Sequence, residues 1–218
     1  MRSIFRAALL LSPAVLYAQS TTVVDNSAVR IINAVDRPHA PTPLHKHDFN
    51  RVMIYLDAGD QDITSEGHVE HHHWKAGEVV WSPVGPAHVS ENVGSANLRI
   101  VEIEIRKPAP QSPLKRNPKL DPLAADRAHN TLLFENDQVR VFLNKLPAGT
   151  REKWHEHVGT GRAVVLLAPL SARVEEANGE VSPMNGAAGD AFWREGAVKH
   201  RGSNIGSRPS EMVLVEVK

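Results

Sequence analysis

The sequence predicts an all-β protein of two tandem antiparallel barrels or sandwiches. Three observations carry this: strand-type runs dominate while helical periodicity is scarce, turn residues punctuate them at short intervals, and the second half of the chain repeats the first. The strands are β-branched or alternating runs bounded by Gly, Pro, Asn and Asp, at residues 52–56, 78–81 and 98–105 in the first half and 163–167 and 212–217 in the second. With 14 Gly and 15 Pro in 218 residues, 41% apolar and 5% aromatic, the composition suits a folded, turn-rich chain rather than a disordered or collagenous one.

Residues 1–18 stand apart. Arg2 and Arg6 precede an apolar run, Ala7 to Ala14, broken only by Ser12 and Pro13, and a small residue follows at Ala18. This is the pattern of a secretory signal peptide cleaved before Gln19, too short for a membrane span, and it predicts a periplasmic or secreted protein with no membrane contact once the leader is gone. The 25 basic and 25 acidic residues balance. Removing Arg2 and Arg6 leaves 23 basic against 25 acidic residues, and the longest cationic cluster, Lys115 to Lys119, is interrupted by Asn117 and Pro118. A nucleic-acid partner is therefore not expected. Cysteine is absent, which excludes disulfides, thiolate nucleophiles and cysteine-ligated metals, so any metal must sit on nitrogen and oxygen ligands.

The repeat organises the rest. Asp25-Asn26-Ser27-Ala28-Val29-Arg30-Ile31 aligns with Glu135-Asn136-Asp137-Gln138-Val139-Arg140-Val141, and His45-Lys46-His47 with His155-Glu156-His157, at one constant offset. Gly77, Trp81, His88, Asn92, Gly94, Ser95, Val101 and Glu104 align with Gly189, Trp193, His200, Asn204, Gly206, Ser207, Val213 and Glu216 at an offset two residues longer. Two homologous units are predicted, 19–106 and 131–218. Between them, residues 107–130 carry five prolines from Pro108 to Pro122 and read as a semi-extended linker.

The spacing Gly77, Pro83, Gly85, His88, Asn92 resembles the second motif of the cupin family, and His45-x-His47 resembles the start of its first. The resemblance covers nearly all of 22–106 and 131–218. It implies a bicupin: two double-stranded β-helical jelly-roll barrels, each with a site in its mouth. In the second half Glu195 and Ala197 replace the motif's Pro and Gly, so the turn before His200 must be built differently, through Gly196. On that ground the N-terminal triad ranks first as the functional one.

Strand geometry independently suits metal binding. Residues two apart point to one face, so His45 and His47, and likewise His155 and His157, each present two imidazoles, and His88 or His200 closes a triad from a partner strand. Three neutral imidazoles suit Fe, Mn, Ni, Zn or Cu. The family's first motif usually adds a glutamate ligand, where this chain has Arg51 and Arg162. Three outcomes follow. The arginines turn outward and leave a three-histidine site, as in the thiol and diketone dioxygenases of the superfamily; they clamp a substrate carboxylate; or the site is metal-free and binds an anion or a sugar.

The remaining histidines carry less. His68, His71, His72 and His73 lie between the motifs, where strand neighbours face opposite ways and cannot share one ion. Trp81 and Trp193 read as barrel-wall packing, with Trp81 also a candidate for stacking on a ring substrate. Asn92 and Asn204 read as turn-fixing residues. The functional expectation is a three-histidine metal enzyme acting on a small, carboxylate-bearing molecule by a dioxygenase-type reaction. Arg51 has the catalytic, orienting role, and Arg51, Arg162 and Trp81 bind substrate. The alternative is a non-catalytic sugar- or carboxylate-binding protein. Homo-oligomerisation is compatible with either.

Overall fold

The computed structural model describes residues 19–218; the expected leader, residues 1–18, lies outside them. Strand accounts for 56% of the described residues and helix for 2%. The first half contains β1 (Gln19–Asp25), β2 (Val29–Asp36), β3 (Arg51–Tyr55), β4 (Gly59–Ser65), β5 (His68–Trp74), β6 (Glu78–Ser82), β7 (His88–Asn92) and β8 (Leu98–Ile105). After the one-turn helix α1 (Pro122–Ala125), the second contains β9 (Asn130–Glu135), β10 (Val139–Leu146), β11 (His155–His157), β12 (Gly161–Leu166), β13 (Leu170–Glu176), β14 (Val181–Gly186), β15 (Ala191–Glu195), β16 (Val198–Asn204) and β17 (Ser210–Val217).

Each half is a jelly-roll barrel of two antiparallel sheets. The first pairs the five-stranded sheet β1-β2-β8-β3-β6 with β5-β4-β7, and the second pairs β15-β12-β17-β10-β9 with β11-β16-β13-β14. Period-2 alternation decides what goes where. In β8 and β17, Leu98, Ile100, Glu102 and Glu104, and Met212, Leu214 and Glu216, face into their barrels. Val101, Ile103, Ile105, Val213, Val215 and Val217 face out.

Those outward residues are not solvated. With Val29, Ile31, Val52 and Ile54 of the first half and Val139, Val141, Ala163 and Val165 of the second, they form one continuous core between the two five-stranded sheets. The barrels thus pack back to back on the largest apolar cluster of the molecule. The smaller clusters inside them gather around Tyr55 and Trp74 in one barrel and Phe142 and Leu166 in the other. The contact is quasi-twofold: Leu167 lies 3.5 Å from where a Cβ on Gly77 would be, and Leu56 lies 3.2 Å from where one on Gly189 would be. Both glycines have positive φ (79° and 94°), which explains why this pair recurs in the repeat.

The segment between the barrels docks on the second one. Leu123 of α1 packs on its interior cluster, Asp121 pairs with Arg140, and the Glu156 amide donates to the Leu120 carbonyl at 2.7 Å. No helix among the described residues is long and apolar enough to cross a membrane.

Candidate metal centres

Strand pairing brings each triad together. β11 lies beside β16 with His155 opposite His200, and an isolated bridge sets His45 opposite His88 in the same way. In each triad the candidate ligand nitrogens all lie within 4.8 Å of one another. Among the described residues these are the two groups of three or more side chains so placed.

Four of the six imidazoles, those of His45, His88, His155 and His157, are oriented from behind. Nδ1 of His45, His88 and His155 lies 2.8, 3.4 and 2.9 Å from the carbonyls of Pro43, Pro86 and Lys153, two residues upstream in each case. His157 Nδ1 lies 2.5 Å from Glu216 Oε1, and His47 Nδ1 lies 3.9 Å from Glu104 Oε1. Nδ1–H held by an oxygen leaves the Nε2 lone pair for a metal. Glu216 is an orienting residue that the sequence left without a role, and Glu104, its match, stands behind His47 but is bound to Arg30. Their matched places in the repeat were the available signal.

Burial favours the neutral form, the one that ligates, at His47, His88, His157 and His200. It is the main cause of the low pKa of His47, about 3, with the Arg51 charge adding to it, and of the lowered value at His88. His157 and His200 are pushed well below the usual range, again by burial, with Arg162 next in importance at His157 and His155 at His200.

Both arginines point into their barrels, 7% and 6% exposed, which overturns the outward-facing outcome. Both terminal nitrogens of Arg51 are engaged: NH1 lies 2.7 Å from His47 Nε2 and donates to Glu102 at 2.9 Å, and NH2 donates to Ser82 at 3.0 Å, while Nε is buried without a partner. Arg162 has Nε and NH1 buried without partners, and burial lowers its pKa to about 10. His157 Nε2 and both ring nitrogens of His200 are likewise buried and unpaired. Unsatisfied buried polar atoms are costly and rare, so this cluster fits a metal ion on the imidazoles and an anion on the guanidinium. The N-terminal triad, with His47 Nε2 already engaged, does not fit an ion as it stands.

The turn before the third histidine differs between the halves. Gly196, at φ 72°, closes a short turn between β15 and β16 and seats His200 inside β16, whereas His88 opens β7 after a longer loop. A cavity of about 60 Å³ in the second barrel is lined by Arg162, Arg194, Glu176, His200 and apolar residues including Leu170 and Met212. The first barrel holds a larger cavity, about 350 Å³, bordered by His45, His88, Arg51 and the stacked Tyr55 and Trp74. Deep in it, Gln61 donates to Asp36 and to Ser90, both at 2.8 Å.

Other expected residues fall as follows. Trp81 borders the larger cavity, but its side chain packs on the inter-barrel core with Trp193, so the packing role is the one the structure shows. On β5, Glu70 and His72 line the cavity while His71 and His73 pair with Asp62 and Asp60 across the strand pair, so the histidine run is split between faces. Asn92 and Asn204 each donate to two carbonyls and accept from the amide two residues on, fixing the turn.

No family model and no curated protein matches the chain. Among solved structures it is similar to AerE from Microcystis aeruginosa, with TM-score 0.68 and 12% identity over 96% of this chain and 95% of that one. It is also similar to oxalate decarboxylase from Bacillus subtilis, a protein with Mn(II) centres, with TM-score 0.64 and 14% identity over 91% of this chain and 72% of that one. The fold is that of a bicupin, two cupin barrels in tandem.

Proposed function

We propose that this protein is a metal-dependent enzyme whose working centre is the mouth of the C-terminal barrel. His155, His157 and His200 hold a divalent transition metal ion, Arg162 binds the carboxylate of a small organic substrate, and the reaction is an oxygen-dependent, dioxygenase-type cleavage. The observation that carries the reading is the buried Arg162 guanidinium, with Nε and NH1 unpaired in the cavity that His200 also lines. A carboxylate supplies two acceptors in the geometry a guanidinium matches. A cavity of about 60 Å³ takes roughly four or five water-sized units, which limits the substrate to a few heavy atoms. Likeness in fold to an oxalate decarboxylase agrees with a small carboxylate.

The ion, when bound, supplies a Lewis acid and open coordination positions. The protein's own residues do the rest. Arg162 fixes the substrate's orientation, Leu170 and Met212 exclude water, and Glu176, opposite His200 in the β13–β16 pair, is placed to hold or return a proton. Export, resting on the pattern of residues 2–18, is part of the proposal. A second reading, capture of a ligand without metal, is favoured for the N-terminal barrel by its larger cavity and by the engagement of Arg51.

The test is Arg162→Gln, with metal content by elemental analysis and binding of acetate, oxalate and pyruvate by calorimetry. Loss of a charged hydrogen-bonding partner predicts about ten- to a hundredfold weaker carboxylate binding with metal content retained. Unchanged carboxylate affinity would refute the assignment.

A further inference from the structure

Arg51 and Arg162 occupy equivalent places: Arg51 is paired in register with Glu104 of β8, and Arg162 with Glu216 of β17. Their surroundings differ at two positions. Opposite Arg51 on β6 stands Ser82, and the next inward residue of β8 is Glu102; the matching residues in the second barrel are Arg194 and Leu214. Ser82 and Glu102 both accept from Arg51, and Glu102 is a largely buried carboxylate whose charge needs a cation beside it. So held, NH1 lies 2.7 Å from His47 Nε2. An imidazole nitrogen accepting a hydrogen bond from a guanidinium has no lone pair left for a metal. In the second barrel Leu214 offers no acceptor and Arg194 carries a like charge. Arg162 is left unpaired, and so is His157 Nε2.

We infer that Glu102 and Ser82 latch Arg51 onto His47 and thereby withhold the first triad from metal, so that each chain carries one ion, in the second barrel. Arg51 is a specificity-determining residue in this sense: with its two partners it decides which of two similar histidine triads is a metal site. Leu214 and Arg194 are the residues that leave the second triad open. Swinging Arg51 away to admit an ion would strand Glu102 without its partner, so the latch is held from both ends. The inference rests on the assignment of the metal to His155, His157 and His200, and its test separates the two.

Full-length protein is equilibrated with Mn(II) or Zn(II), freed of unbound ion by gel filtration and analysed for metal. All variants carry His71→Ala and His73→Ala so that surface imidazoles do not contribute. The parent should hold one equivalent, kept in His88→Ala and lost in His200→Ala. Arg51→Met, and Glu102→Leu, which copies the second barrel, should each hold two, one of which His88→Ala removes. Arg51→Gln serves if Arg51→Met does not fold. Two equivalents in the parent, one lost with His88→Ala, overturn the latch, as does a folded Arg51 variant that still holds one. A parent with none that gains one His88-dependent equivalent in Arg51→Met supports the latch and overturns the C-terminal assignment.

Discussion

Replacing Glu216 by Gln should weaken metal binding at the second triad by about ten- to a hundredfold, the usual effect of losing an orienting partner behind a ligand. Glu216 Oε1 is 2.5 Å from His157 Nδ1, and the two side chains are 2% and 4% exposed. Water cannot replace the lost charge there. Burial raises the Glu216 pKa to about 7, so the comparison is made above that pH, where Gln keeps the volume and one acceptor while the anion behind the histidine disappears. The predicted factor corresponds to about 1.4 to 2.8 kcal/mol. Glu104→Gln is the internal control. It stands 3.9 Å from His47 Nδ1 and holds Arg30 at 2.7 and 2.8 Å, and with the first triad latched it should leave metal stoichiometry unchanged. The assay is competition against a chromophoric chelator at fixed pH, with near-ultraviolet circular dichroism to establish that both variants are folded. Affinity of Glu216→Gln within twofold of the parent, in a folded protein, would refute the role given to this carboxylate.

The shared core predicts that the barrels unfold together. Ile103→Ala should cost about 2–5 kcal/mol and shift a single urea transition, and two separate transitions would show that each barrel stands alone. Asp36 supplies a pH dependence. Burial raises its pKa above 3.8, although Gln61 and Ser90 oppose the shift. The native state therefore keeps this proton to higher pH than the unfolded chain does. The group's contribution to stability falls as pH rises from about 3.8 through its raised native value. Asp36→Asn should flatten that fall in urea titrations across the acid range, and an unaltered slope in the variant would exclude Asp36 as its source.

Local pattern made much of this legible. Alternation in residues 98–105 and 212–217 announced strands, and the recurrence of His-x-His with a later histidine announced both triads, because same-face spacing on a strand is a property of a few consecutive residues. Non-local facts were not legible. Nothing in Val101 or Val215 says that its outward face meets another barrel rather than water. Glu104 and Glu216 were visible as a repeated pair, but their place behind His47 and His157 depends on how the last strand pairs with β3 or β12. The direction of Arg51 is set by Glu102, remote in sequence, and the segment read as a linker is held on the second barrel by Leu123 in its interior cluster and by the Leu120 carbonyl on the Glu156 amide.

The division between faces also explains how two copies of one unit could come to differ in chemistry. Outward positions on the five-stranded sheets are tied to the other half: Val52, Val101 and Ile103 pack on Val165, Val213 and Val215, so a polar change there damages both barrels. Gly77 and Gly189 are fixed by the same contact, each against the other half's leucine. Inward positions have no such obligation. Glu102 and Leu214, Ser82 and Arg194, and Ser65 and Glu176 are matched pairs that lie within the barrels or along their mouths, and at these the halves differ in polarity or charge, whereas the core pairs Val52 and Ala163 or Ile103 and Val215 stay apolar. With Leu in place of an acceptor at the first pair and a cation in place of Ser at the second, Arg162 is left free while Arg51 is bound, with the triad, the glutamate behind it and the turn asparagine present in both. The interface holds the frame constant, and the barrel interiors carry the difference between an open histidine triad and a latched one.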